Sequence, residues 1–459
     1  MILTIENNVS CLLSAILLLF PLTLLKAEDT TATAGRETLN RAVKHVERIR
    51  GRRFTRPVAT GKKTTEEIAA FLKEQFDKDL PGPLLSLYTA VYREFNLIPE
   101  GYNLKKGLIS LLTEQIGGFY DPEEKKFYLA EKSAIFGEMI TAHELTHALQ
   151  DCYIPLGRTL ACEDLGFSAC SPVRNDDIYL ARLCFFEGEA QMVMSKYVEL
   201  GHASVTDISV KDIINMMFSQ LQMNCTPPAI SDQLMYPYIT GHSFINSFYA
   251  RNRWKSVNRM YSRLPRSSEQ ISHPEKYIQG DDPIFIIIDG LEDLEKKGWA
   301  KKGETSMGEF MTYQVIKSLT GDFAKGIRAS CGWGGDTLYM YAKDGNSLTV
   351  WYSTWDTDKD NDEFFGFLRE GVGRPGHGPH KVIHEGDSFR GVSHTGAAVS
   401  IRKTARDAVY ISCTDSTLLE KTDTYLTGIR HLTWNQRFPD AHTKRADTDT
   451  VHDKGDVNE

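Results

Sequence analysis

The sequence predicts an α+β fold, a mainly helical front half with a small sheet followed by a C-terminal α+β module. Three observations carry this. Apolar residues recur at helical spacing through most of the first 320 positions. Two short alternating runs flank a turn at residues 121–125, beside a Gly-Gly break at Gly117 and Gly118. After Gly332 the pattern changes to alternating strands, with Asp344-Gly345 as a hairpin turn.

The elements follow in order. Residues 11–25 form an apolar run interrupted by Pro21, too short to span a bilayer comfortably. It fits the core of a secretory signal peptide with Ala27 at the cleavage site, although Glu6 and no Lys or Arg precede it. We therefore expect a signal peptide at 1–27 and an extracytoplasmic location, secreted or periplasmic. Membrane association would then arise only through an uncleaved N-terminal segment. Residues 28–62 read as a polar leader arm with a helix near 37–52. Thr64 followed by Glu66 and Glu67 marks a helix start, and two or three helices reach Leu112.

Strands are expected at 115–120 and 126–130, then a helix over 133–151. Residues 152–175 are loop-like, and a long helix covers 176–200. Helices at 207–222 and 240–262, a buried strand at 283–289 and a helix at 304–319 complete a unit at 63–300 and enter a module at 301–433. In that module strands are expected at 336–342, 347–355, 396–402 and 408–413. Helices are expected near 360–370 and over 416–432. Residues 434–459 are polar and read as a disordered tail.

The chain has 459 residues, with 53 basic and 61 acidic side chains and a net charge of -8. No broad cationic field exists, which argues against nucleic acid as a partner. Beyond residue 27 lie seven cysteines: Cys152, Cys162, Cys170, Cys184, Cys225, Cys331 and Cys413. In an exported chain at least one bridge is expected among the first three, and Cys331 with Cys413 is a second candidate pair.

The chemistry is concentrated in His143-Glu144-Leu145-Thr146-His147, an H-E-x-x-H motif. With 13 histidines in the chain, chance matches number only roughly 0.02–0.03 per chain of this size. On a helix the two imidazoles share a face and can bind one ion. Two neutral imidazoles suit Zn²⁺, and Glu144, one residue on, can reach a water held by the ion and act as general base and acid. A third ligand is required. No metzincin continuation follows His147. Within Phe186-Glu187-Gly188-Glu189, Glu187 is preceded by an apolar run and is favoured, whereas Glu189 lies about 200° round the helix.

The stretch from His143 to Asp151 followed by Glu187-Gly188-Glu189-Ala190 resembles the gluzincins, zinc metallopeptidases whose third ligand is a helical Glu. It resembles more closely a group of exported, largely uncharacterised bacterial zinc metallopeptidases. Supporting stretches are Gly118 to Pro122, Tyr238 to Gly241, Pro265 to Gln270, His273 to Tyr277 and Gly332 to Asp336. Together these span roughly residues 65–432. The resemblance implies a two-lobed, zincin-like catalytic unit and a peptide or protein substrate held by strand addition, with Tyr120 or the 126–130 strand at that edge. It also implies a Tyr or His that stabilises the oxyanion, for which Tyr238, His242 and His273 are candidates. Two other readings stay open: a non-catalytic exported scaffold with a retained zinc site, and a zinc hydrolase of non-peptide, cell-wall amides. The Asp-rich run 356–362 lacks the Gly and Glu of a calcium loop and reads as a helix start. His377, His380 and His384 read as incidental loop histidines.

Overall fold

The computed structural model describes residues 32–130, 137–168, 171–203, 225–373 and 383–439. The signal peptide, Cys170, the 207–222 helix, His377, His380 and residues 440–459 fall outside these. Within them, ten helices have eight residues or more. They are α1 (Ala32–Arg50), α2 (Thr65–Asp79), α3 (Gly82–Glu94), α4 (Leu104–Gln115), α5 (Gly137–Gln150), α6 (Asp176–Glu199), α7 (Pro228–Met260), α8 (Gly308–Thr320), α9 (Phe323–Ser330) and α10 (Asp358–Val372). The α+β class is as expected.

A three-stranded sheet has the order β1 (Ala59–Lys63), β3 (Lys126–Ala130), β2 (Gly118–Asp121). β2 runs antiparallel to β3 and β1 parallel to it. Among the described residues β4 (Phe285–Ile288) pairs only with β12 (Ile429–Leu432). The large C-terminal sheet has seven strands. Its order is β5 (Ala300–Thr305), β6 (Trp333–Lys343), β7 (Asn346–Trp355), β11 (Asp407–Cys413), β10 (Ala398–Lys403), β9 (Ser388–Val392), β8 (Ile383–Glu385). Asp344 and Gly345, at φ 49° and 79°, make the two-residue β6–β7 turn. Trp351 and Trp355 are core residues. One hydrophobic core runs from Ile68 and Phe119 through α6 and α7 to Trp351 and Tyr410, so the two halves are packed as one body.

Local signals explain the helix starts. Thr64 and Glu67 form a reciprocal capping box on α2. Asn175 Oδ1 accepts from the Ile178 N–H at the start of α6. Thr357 caps α10, so the Asp-rich run is a helix N-terminus.

Four expectations are corrected. Of the expected arm, the described residues 32–62 are not outside the folded body. Ala42, Val46 and Arg50, four residues apart, form a buried stripe, and the apolar pair packs with Leu145, Leu149 and Val193 of α5 and α6. Polar composition hid that stripe. The helix expected over 416–432 is instead two short turns (Ser416–Leu419 and Thr422–Tyr425) and β12, because pairing with β4 overrides local periodicity. A strand, β5, occupies the start of the helix expected at 304–319, so α8 begins only at Gly308. Cys331 and Cys413 are separate thiols, as are Cys152 and Cys162. Cys413 is in the core beneath β4, whereas Cys331 lies near Glu309 and Asp360.

Candidate metal centre

The site is built from three helices and one strand. α5 carries His143, Glu144 and His147, α6 carries Glu187, α7 carries Tyr238, and β2 closes one side. α6 and α7 cross at glycines: a Cβ on Gly188 would lie 2.2 Å from the Gly241 carbonyl oxygen, and one on Gly241 would lie 2.2 Å from that of Cys184. No other residue type allows this approach. The crossing brings Tyr238, one turn before Gly241, to the face of α6 that bears Glu187.

His143, His147 and Glu187 are fully buried, and their donor atoms all lie within 4.8 Å of one another. His143 Nε2 is 3.1 Å from Glu187 Oε2, His147 Nε2 is 3.3 Å from it, and the two Nε2 atoms are 3.0 Å apart. Among the described residues no fourth His, Cys, Asp or Glu joins this group. Ligands at about 2.0–2.1 Å around a tetrahedral ion lie about 3.3 Å from one another, so the donor set fits.

The His147 tautomer follows from its neighbours. Gln150 Nε2 donates to the Phe186 carbonyl at 3.0 Å and to Glu189 Oε2 at 3.2 Å, both acceptors only. Its Oε1 therefore faces His147 Nδ1, 2.9 Å away, which must be the N–H donor. That leaves the His147 Nε2 lone pair facing Glu187 and His143. His143 Nε2 and Glu187 Oε2 converge with it on one point, a donor set that a cation accommodates. Without an ion the proton takes that role. Burial pushes His147 down, but the Glu187 carboxylate more than reverses this and brings it to about 9. Burial lowers His143 to about 4. This buried group can hold a metal ion.

Glu144 is fully buried, and neither carboxylate oxygen has a hydrogen-bond partner among the described residues. Burial raises it to about 8, with the backbone of Tyr120 on β2 facing it. Tyr238 also belongs to the site. Its ring is 6.3 Å from that of His143, and burial, then the Glu187 and Glu144 carboxylates, push its phenol well above the ordinary value. Tyr238 therefore keeps its proton.

His273 does not belong. Its Nε2 is 2.8 Å from Glu309 Oε1, in a turn whose preceding helix (Ser268–Ser272) is tied to Asp177 by the Ser268 N–H. Asp177 precedes Glu187 by ten residues on α6, about 15 Å along the helix axis. The Pro-bounded turn holds His273 toward that acidic cluster instead. Of the two positions expected at the sheet edge, the one at Tyr120 lies on an edge strand and the 126–130 strand does not. β3, residues 126–130, is central and has both edges paired, so β2 is the edge beside Glu144. The Tyr120 hydroxyl itself donates to Asp151 at 2.9 Å.

Sequence reasoning missed the support around His147. Glu189 points away from the donors, as its helical position implied, but it binds Gln150, the Tyr261 hydroxyl at 2.6 Å and the Arg50 guanidinium. Burial would raise Glu189, and Arg50 more than reverses this, so it stays ionised. A chain thus runs from α1 through Glu189 and Gln150 to a donor imidazole. Gln150, three residues after His147, was the available signal.

One family model, described as a domain of unknown function (DUF8575), matches residues 295–422. That segment runs from just before β5 to just beyond the helix that follows β11 and contains no residue of the metal centre. No curated protein and no solved structure matches the chain.

Proposed function

We propose that the chain is an exported, zinc-dependent metallopeptidase. The observation that carries this reading is the convergence of His143, His147 and Glu187 with the unpartnered Glu144 carboxylate beside them. Two imidazoles and one carboxylate are a donor set typical of catalytic zinc with a position left open. A zinc ion in this position would polarise a peptide carbonyl and bring the pKa of a coordinated water to about 7. Glu144 takes the proton from the attacking water on its carboxylate and passes it to the leaving amine nitrogen. The Tyr238 hydroxyl donates to the developing oxyanion. The β2 backbone holds an extended peptide by strand addition. Among the described residues no helix is long and apolar enough to cross a membrane. The 11–25 run supports export.

A second reading is favoured by the depth of the centre. All four residues are buried to within 1%, as suits a scaffold protein that retains a zinc site. The test is metal content of the purified protein and of Glu187→Ala, together with hydrolysis of a mixed peptide library with and without chelator. One zinc per chain, lost in Glu187→Ala, with chelator-sensitive cleavage, supports the peptidase. Zinc without cleavage of peptides or cell-wall fragments selects the scaffold, and cleavage of wall fragments alone selects an amidase. Absence of zinc refutes all three.

A further inference from the structure

A cavity of about 210 Å³ lies between α2, α3, α4, α6, the start of α7 and strand β6. Its walls are aliphatic: Leu108 and Leu112 on α4, Leu180 and Leu183 on α6, and Ile230 and Leu234 on α7. Protein interiors are close-packed and keep few voids larger than a water molecule. An apolar cavity of about 150 Å³ stays dry and takes up benzene. A larger void of the same character calls for an apolar occupant, not water.

The cavity has two chemically distinct ends. At one, exposed Pro172 adjoins half-buried Arg174, Asp176 and Tyr88. Arg174 Nε is 2.6 Å from Asp176 Oδ1, and the Tyr88 hydroxyl donates to Asp176 at 2.7 Å. This mouth is polar but carries no net charge. At the other end, Leu183 and Leu234 are buried, and one helical turn further on lie Glu187 and Tyr238. From Asp176 to Leu183 the α6 axis advances about 10 Å. The cavity lining follows α6 over that length, room for an extended aliphatic chain.

We propose that this slot binds a single aliphatic chain bearing an uncharged polar head, with its tail inward toward Glu187 and Tyr238 and its head at the Arg174–Asp176 pair. A carboxylate head would meet Asp176, and an ammonium head would meet Arg174. The inference stands whether or not the metal centre is hydrolytic.

Calorimetric titration of the full chain with decanol and with decanoate tests it. Decanol should bind one per chain with a negative heat-capacity change, the mark of buried apolar surface. Decanoate should bind about tenfold more weakly or worse. Leu108→Trp and Met311→Phe each fill the slot from a different helix, α4 and α8. Each should weaken decanol about tenfold or more while the circular dichroism spectrum and thermal midpoint are held or raised. No decanol binding, or binding unchanged in both variants, overturns the proposal. Decanoate binding as tightly as decanol overturns the assignment of an uncharged head.

Discussion

Glu144 is held where a carboxylate is least comfortable. It is buried, has no hydrogen-bond partner among the described residues and is raised to about 8. Such a group destabilises the fold, and a neutral isostere relieves that cost. Glu144→Gln should therefore keep one metal ion per chain, leave the thermal midpoint equal or higher, and reduce peptide hydrolysis about 10²–10⁴-fold. Retained hydrolysis in the pure variant would refute the assigned role. Gln150 gives a complementary test. Gln150→Leu removes the acceptor for His147 Nδ1, so metal affinity should fall about 10–100-fold in a competitive chelator titration. His273→Ala, remote from the donors, should leave that affinity unchanged. If the two variants behave alike, the chain from His147 to Arg50 plays no part in holding the ion.

At the scale of elements, the centre depends on how closely two helices approach. A methyl group at Gly188 would meet the Gly241 carbonyl at 2.2 Å, a backbone atom that cannot turn aside. Gly188→Ala should cost about 1–3 kcal/mol and lower the denaturation midpoint. It should also weaken metal binding, because Glu187 moves with its helix. An unchanged midpoint would mean that α6 and α7 separate freely. What was legible beforehand divides along the same line. The His143 and His147 spacing, the choice of Glu187 over Glu189, and the α2 and α10 caps are decided within one or two helical turns. Tyr238 and His273 both looked plausible, and only the Gly188–Gly241 crossing separates them. The burial of α1 rests on Ala42 and Val46 meeting α5 and α6 and on Arg50 meeting Glu189, 139 residues away, and β12 depends on β4. Neither contact leaves a trace in local periodicity.

The two halves of the molecule meet at a buried acidic group, and this gives the whole fold a pH dependence. Asp177 of α6 accepts from the Ser268 N–H at 3.0 Å. It faces Glu309 on α8 and Asp336 on β6, which in turn accepts from Ser306 and from Trp351 Nε1. Burial first, and those two carboxylates in addition, push Asp177 up to about 7 against the pull of the Ser268 hydrogen bonds. Its folded pKa thus exceeds its unfolded value of 3.8. The folded state binds this proton more tightly, so the stabilisation is complete below about pH 4 and is lost as pH rises through about 7. The shift corresponds to at most about 4 kcal/mol. Asp177→Asn keeps an oxygen for the Ser268 N–H and removes the titration. Urea midpoints of the two proteins, compared at about pH 5 and about pH 8, should diverge, with the wild type losing ground to Asp177→Asn at the higher pH. Parallel curves would place the pH response of the fold elsewhere than at this junction.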